Sequence, residues 1–362
     1  MDFALSEEQI MIQDSFRRTL ERVSDTDQIR AISNGKQALD ADIWQELVQL
    51  GMAGLLIPEA HGGAGLGLLE AAVVAEELGR SMAPVPYVGT AVMAPLAIML
   101  AGNEAQKQAW LPGLAGGELR LGVAVSAAAS GTRRDATVTA QDQTLNGKAM
   151  FVIDCGDADA YVIADDIGQL FIIKSDADGL SQECFPTIDG TRSVAQLTLN
   201  NVHAEKLVDG DEDTLQRVID AERIIMAAET LGAGDAMLVQ SVEYALQRKQ
   251  FDRLIGSFQA VKHMCAEMAA ELQPCRGLIW YAAYAFDHLP GEVSLSTALA
   301  KSHTDEVGRM VARTATEVHG GMGYTDLQGL HFWFKRIGFN RAFLGGPEKL
   351  RAEAARLQGF VS

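Results

Sequence analysis

The feature that most constrains this chain is where its apolar period changes. Up to about residue 120 the apolar residues recur at helical spacing. Ile10, Ile12, Phe16, Leu20 and Val23 make one stripe, and Ile43, Leu47 and Leu50 make another that stops at Gly51. From about 121 to 210 the helical period gives way to short strand-like runs. Thr137-Val138-Thr139 alternates, "AYVIADDIGQLFIIK" is two β-branched and aromatic runs around Asp165-Asp166-Ile167-Gly168, and "VAQLTLNNV" reads as a further strand. From about 211 the helical period returns, and Thr214 to Gln247 passes without a proline. A helix-period segment cannot settle as a strand, so the two switches divide the chain. The expectation is a multidomain α+β protein: an N-terminal α-helical domain over 1–120, a middle β-barrel or sandwich domain over 121–210, and a C-terminal four-helix bundle over 211–362.

Local signals refine this outline. Ser6 ahead of Glu8 and Gln9 predicts a helix start, and Pro58 to Gly67 a glycine-rich loop. "LLEAAVVAEELG" predicts a helix stopping at Gly79, and "NEAQKQAWLPGLAGGE" one ending near Pro112. "LNGK" (Leu145 to Lys148) predicts a hairpin turn. Asp211-Glu212-Asp213 suits a helix N-terminus. Further helices are expected over Ser257 to His288, kinked at Pro274, and over Ser294 to Val318. The apolar run Tyr87 to Gly102 is short for a membrane span and Pro95 interrupts it, so it predicts a buried helix.

Charge excludes whole classes of function. The net charge of -18 repels nucleic acid and anionic membranes, so an anionic ligand needs a local basic or amide-rich site. The four cysteines (Cys155, Cys184, Cys265, Cys275) are scattered and form no Cys-x-x-Cys pair. A reduced, cytoplasmic setting fits better than a disulfide framework or a metal site. The N-terminal "MDFALSEEQI" shows no export signal.

One stretch is specific. Arg248 to His263 reads "RKQFDRLIGSFQAVKH", "PEAHGGAGLGLLEAAVVAEELGR" precedes it and "EVHGGMGY" (Glu317 to Tyr324) follows it. In order and spacing these resemble three motifs of the acyl-CoA dehydrogenase family, and the resemblance extends over essentially the whole chain. It implies an FAD enzyme that removes hydrogens from Cα and Cβ of an acyl-CoA thioester. It also implies tetramers built as dimers of dimers, with FAD across a subunit interface and electrons passed to an electron-transfer flavoprotein.

The resemblance assigns roles residue by residue. Arg248 matches the pyrophosphate arginine, whose planar fork of donors suits that group; the alternative is a cation at a helix C-terminus. Phe251 and Phe258 match positions beside the cofactor and could equally be core aromatics. Gln259 matches a cofactor contact. Gly320 and Gly321 match the segment that meets the adenosine-pyrophosphate of a neighbouring subunit's cofactor; a bare Gly-Gly is otherwise a turn. His319 reads as a packed core histidine.

Three departures stand out. The family's "TEpxaGSD" is Ser126-Ala127-Ala128-Ala129-Ser130-Gly131-Thr132-Arg133 here. Ser126 keeps a hydroxyl for flavin, and Gly131 and Thr132 keep the lining of the acyl-CoA channel. The family's "WIT" is Phe151-Val152-Ile153, so the threonine near flavin N5 is missing, while Phe151 keeps an aromatic wall. The carboxylate base of "YEG" falls on Gly345 in Leu344-Gly345-Gly346, and glycine cannot take a proton.

Two carboxylates are candidates to replace it. Glu348 follows Gly346-Pro347 and reads as the first turn of a helix. Glu222 lies 26 residues before Arg248, at a site resembling the base position of isovaleryl-CoA and long-chain members. Val218, Ile219, Ile225 and Met226 would share its helix face; the alternative is an exposed acid at the edge of that stripe. Arg223 matches a family arginine near the active site. The leading expectation is α,β-dehydrogenation of an acyl-CoA to the trans-2-enoyl-CoA, with Glu222 as base and Arg223 beside it. The alternative is a non-catalytic subunit of a heterotetramer, paired with a homologous subunit, as in similar bacterial members that act on steroid side chains.

Overall fold

The computed structural model describes residues 4–35, 39–125 and 136–361. Helices α1 (Glu7–Val23), α2 (Thr26–Ser33), α3 (Ala41–Gln49), α4 (Leu68–Ser81), α5 (Ala94–Ala101) and α6 (Glu104–Ala115) come first. Strands β1 (Leu121–Ala124), β2 (Val138–Gln141), β3 (Thr144–Ile153), β4 (Ala160–Ala164), β5 (Leu170–Lys174), β6 (Leu180–Cys184), β7 (Val194–His203) and β8 (Glu205–Lys206) follow. Helices α7 (Thr214–Gln247), α8 (Gln259–His288), α9 (Val293–His319), α10 (His331–Ala342) and α11 (Pro347–Leu357) complete the chain, with a short hairpin of β9 (Lys249–Gln250) and β10 (Arg253–Leu254) after α7. The fold is a helical N-terminal region, a curled β-sheet and a helical C-terminal region. By contacts the chain forms two compact units, 31–71 with 84–223, and 1–30 with 72–83 and 224–362.

The first unit holds the sheet, in the order β6-β7-β3-β1-β4-β5-β8 with β2 on β3. β1 and β4 run parallel, Leu121 opposite Ala160. Leu145, Val152, Ile163, Phe171, Ala195 and Leu197 are in its core, and β4 is buried along its whole length, as its continuous apolar run suits. Two expectations need correction. "LNGK" is not the hairpin turn: it lies inside β3, and the chain turns at Asp142-Gln143. Gly147 has φ 115, and a Cβ there would fall 2.0 Å from the Thr137 carbonyl oxygen. The register slips between Leu145 and Gly147, where β7 carries the extra residue at Asn200-Asn201, so Asn-Gly lies opposite a β-bulge instead. Helix α6 does not end near Pro112 but carries it inside and runs to Ala115. The apolar run behaves as expected. Tyr87–Met93 is a π-helix leading into α5, and residues 87–98 are all buried. Among the described residues no helix is long and apolar enough to cross a membrane.

The second unit is helical. Ser6 and Gln9 form a reciprocal capping box at α1, as the N-terminal pattern predicts. Gly79 does not stop α4, which continues to Ser81. A Cβ on Gly79 would lie 2.1 Å from the Glu229 carbonyl oxygen, and one on Gly232 would lie 1.8 Å from that of Glu76. The two glycines let α4 and α7 approach backbone to backbone, which is a packing role a sequence reading takes for a terminus.

This unit buries charge. Arg17 pairs with Glu77 at 2.7 Å, and Arg276 pairs with Glu76 at 2.8 Å and Asp235 at 2.6 Å. Deeper, Lys301 Nζ donates to Asp305 Oδ2 at 2.8 Å and to the Asn340 carbonyl at 2.6 Å. Asn340 Nδ2 donates to Glu229 Oε2 at 3.2 Å, and Arg336 lies 3.7 Å from Glu229. Burial pushes the Asp305 and Glu76 carboxyls above their ordinary values despite these cations.

Candidate active site

The first unit carries one cluster of the expected residues. Glu222 and Arg223 lie near the start of α7, and both are buried, Glu222 at 0% exposure. Val218, Ile219, Ile225 and Met226 are buried too, and so is every residue from 218 to 234. The helix is therefore covered on all sides here, and Glu222 is no exposed acid at the edge of a stripe. A fully buried glutamate on an apolar helix is rare without a task or a strong pairing.

Arg223 is held by a neighbour the motif reading missed. Its Nη1 lies 3.4 Å from Asp220 Oδ1, and Gln216 Nε2 donates to the same oxygen at 2.9 Å. Asp220 is 1% exposed, so the pair is shielded from water. The signal was present in the i, i+3 spacing of Asp220 and Arg223. Gln216 and Ile219 also line a cavity of about 410 Å³ with Ala101, Gly168, Leu170 and Thr214.

Phe151 belongs to the same unit. It sits at φ 56 where β3 loses register against β7, is 41% exposed, and packs on Phe185 with ring centres 6.0 Å apart. An aromatic surface is thus presented, as the resemblance implies. Ser126, Gly131 and Thr132 lie outside the described residues.

The second unit groups the remaining positions. α7 ends at Gln247, Arg248 follows it, and the Ile255 N–H donates to the Arg248 carbonyl at 2.8 Å across the short hairpin. Arg248 is exposed, so it is both a helix-end cation and free to meet an anion. Phe251 is 87% exposed, which removes the core-aromatic alternative for it. It meets Phe258 edge-on at 6.2 Å, and the Arg253 guanidinium lies 3.7 Å over the Phe258 ring. Gln259 opens α8 and is exposed.

Gly320 and Gly321 follow α9. Gly320 has φ 59, and a Cβ on either glycine would meet nothing within 4 Å. The backbone there is open to a ligand. His319 before them is buried and stacked on Tyr244 at 4.6 Å, which fits the packed histidine expected and ties this segment to the end of α7. The exposed Arg248, the exposed Phe251 ring beside half-buried Phe258 and the open glycine backbone fit a large ligand with a pyrophosphate and flat rings, as FAD has. Among the described residues no group of three or more His, Cys, Asp or Glu side chains could hold a metal ion.

Position 345 offers no side chain to act as a base. Gly345 is buried at φ 109 and Leu344 before it has φ 50. Glu348 has a 74% exposed side chain, 3.1 Å from Arg341, in the first turn of α11. An amide of that turn and Arg341 hold its carboxyl below the usual range. It is a helix-start acid, as the Pro-Glu pattern predicts.

The acyl-CoA dehydrogenase N-terminal domain model matches residues 6–118, and the C-terminal domain model matches 212–357. Acyl-CoA dehydrogenase IpdE2 of Mycolicibacterium smegmatis is 30% identical over 358 residues, covering 99% of this chain and all of that one. The steroid acyl-CoA dehydrogenase variant Tcur3481-Tcur3483 G363A superposes with a TM-score of 0.88 at 30% identity, covering 98% of each chain. The ChsE4-ChsE5 complex from Mycobacterium tuberculosis gives a TM-score of 0.92 at 26% identity, covering 100% of each chain. Matches at both ends and along full-length relatives leave one conclusion: the chain belongs to the acyl-CoA dehydrogenase family.

Proposed function

We propose that this protein is an FAD-dependent acyl-CoA dehydrogenase that converts an acyl-CoA thioester to its trans-2-enoyl-CoA, with Glu222 as the base. The observation that carries this is the contrast between Glu222, fully buried on α7, and position 345, where a glycine stands. Bound FAD supplies the acceptor for the hydride that leaves Cβ. The chain supplies the rest. Glu222 takes the α-proton onto a carboxylate oxygen in a site closed to water. Arg223, fixed by Asp220, keeps a positive charge next to it in sequence and steadies the local field. Arg248 would bind the pyrophosphate, Phe251, Phe258, Gln259 and Phe151 would flank the cofactor, and Gly320 and Gly321 would admit it closely. Ser126, Gly131 and Thr132 would contact flavin and acyl-CoA. An electron-transfer flavoprotein would be the partner that receives the electrons.

A second reading is favoured by a specific observation. The missing base at 345 and the missing threonine at 153 suit a subunit that works only beside a homologue in a heterotetramer. Two of the similar structures are named for two paired proteins, Tcur3481-Tcur3483 and ChsE4-ChsE5. Here the substrate would be a sterol-derived acyl-CoA and the place of work cytoplasmic lipid breakdown. One experiment separates the readings. The purified protein is tested for a flavin spectrum and for bleaching by acyl-CoAs of several sizes. Bleaching that Glu222→Gln abolishes supports the first reading. A colourless chain that gains flavin and activity only with a homologous partner overturns it in favour of the second.

A further inference from the structure

We propose that Asp154 is a positioning residue that sets where Phe151 points, by locking the end of β3 onto the π-helical segment Tyr87–Met93. The proposal rests on the reading of Phe151 as a wall beside FAD. Phe151 occupies the step between Ala149 and Val152 where β3 slips against β7, and such a bulge re-aims the side chain it carries. Its φ of 56 is unusual for a bulky aromatic residue. A backbone of that kind persists only where its surroundings over-determine it.

The surroundings converge on one carboxylate. Asp154 is 3% exposed and also has a positive φ, 54. Its Oδ2 accepts the Gly89 N–H at 2.6 Å, and its own N–H donates to the Ser193 carbonyl at 3.0 Å. Two residues on, the Gly156 N–H donates to Ser193 Oγ at 2.9 Å. Gly89 lies in the first turn of the π-helix, whose N-cap Pro86 gives no side-chain bond. The first N–H groups of a helix lack partners within it, and a buried carboxylate satisfies one and favours the positive end of the dipole. A Cβ on Gly89 would lie 3.1 Å from both Cβ and Oδ2 of Asp154, so a larger residue there presses on the contact. One buried group therefore joins two uncommon backbone segments, a bulge and a π-helix. π-Helical turns are frequent at functional sites, and through this contact a shift of residues 87–93 would reach the end of β3 that bears Phe151.

The test uses the full chain with Asp154→Ala, Asp154→Asn and Gly89→Ala. Expected for Asp154→Ala are faster hydrogen exchange at the Gly89 amide, a shifted spectrum of bound FAD and FAD affinity weaker by about tenfold. Asp154→Asn keeps an acceptor oxygen and restores most of each. Gly89→Ala reproduces the spectral shift from the other side of the contact. A flavin-free readout is the emission of a tryptophan introduced by Phe151→Trp, which should shift when Asp154→Ala is added. If that emission and the FAD spectrum stay unchanged while melting temperature falls, Asp154 is only structural and the proposal is overturned. If the emission follows Asp154 but the parent protein takes up no FAD even with a homologous partner, the positioning role stands and the cofactor reading alone fails.

Discussion

Glu222 and Glu348 are the same residue type in opposite settings. Glu222 is sealed in a helix that is buried on all sides from residue 218 to 234, whereas Glu348 has a 74% exposed side chain beside Arg341. Burial makes a carboxylate sensitive to every neighbour, while water screens the exposed one and leaves it a local task at a helix start. The family's usual base position lies three residues before Glu348, so chain proximity points to one acid and environment to the other.

The largest effect that would break this contrast is catalytic. Glu222→Gln should lower the rate of acyl-CoA-dependent flavin bleaching by roughly 10²- to 10⁴-fold, while Glu348→Gln leaves it unchanged. Rapid-mixing absorbance measurements decide it, and comparable losses in both variants would erase the distinction. Next comes the buried ionic interior. Asp305→Ala removes the carboxylate facing Lys301 at 2.8 Å, with both side chains fully buried, and should destabilise by about 3–5 kcal/mol in urea unfolding. Glu306 pairs with Arg341 at the same 2.8 Å but is a quarter exposed, and Glu306→Ala should cost under about 1 kcal/mol.

A smaller effect sharpens the other half of the contrast. Gly345→Glu puts a carboxylate where the family keeps one, at a φ of 109 that side chains rarely adopt. It should cost about 1–3 kcal/mol and should not restore bleaching to Glu222→Gln. Rescue of activity would show that the corner can still host the base.

The smallest effect is a pH slope from His319. Burial lowers its pKa from 6.5, so the folded state favours the neutral ring. Its contribution is fully present above pH 6.5 and is lost as pH falls below that value toward the lowered folded value. His319→Gln should flatten the stability curve in that window, as followed by thermal melts across pH.

Much of the fold was legible because it rests on local rules. The capping box at Ser6, the acidic start before Thr214 and the β4–β5 hairpin around Asp165-Gly168 depend on a few neighbouring residues. Glycine misled where its reason was distant. Gly79 reads as a stop and Gly147 as a turn, yet one admits the Glu229 backbone and the other admits the Thr137 carbonyl. Pro112 misled as well, since α6 carries it inside and runs on to Ala115. The motif residues around Arg248 were legible by resemblance, while Asp220 and Asp154 were not, because each matters through a partner that no motif names.

The sequence by itself determined the succession of helical, strand and helical zones, the family, and the loss of a side chain at 345. Each follows from period, motif or residue identity, which need no third dimension. Only the tertiary structure decided that Glu222 is interior and Glu348 is rim. Near Glu222 helix α7 buries charged Asp220 and Arg223 as well as its apolar residues, so periodicity cannot say which way that carboxylate faces. Burial is a property of tertiary packing, which local period does not carry.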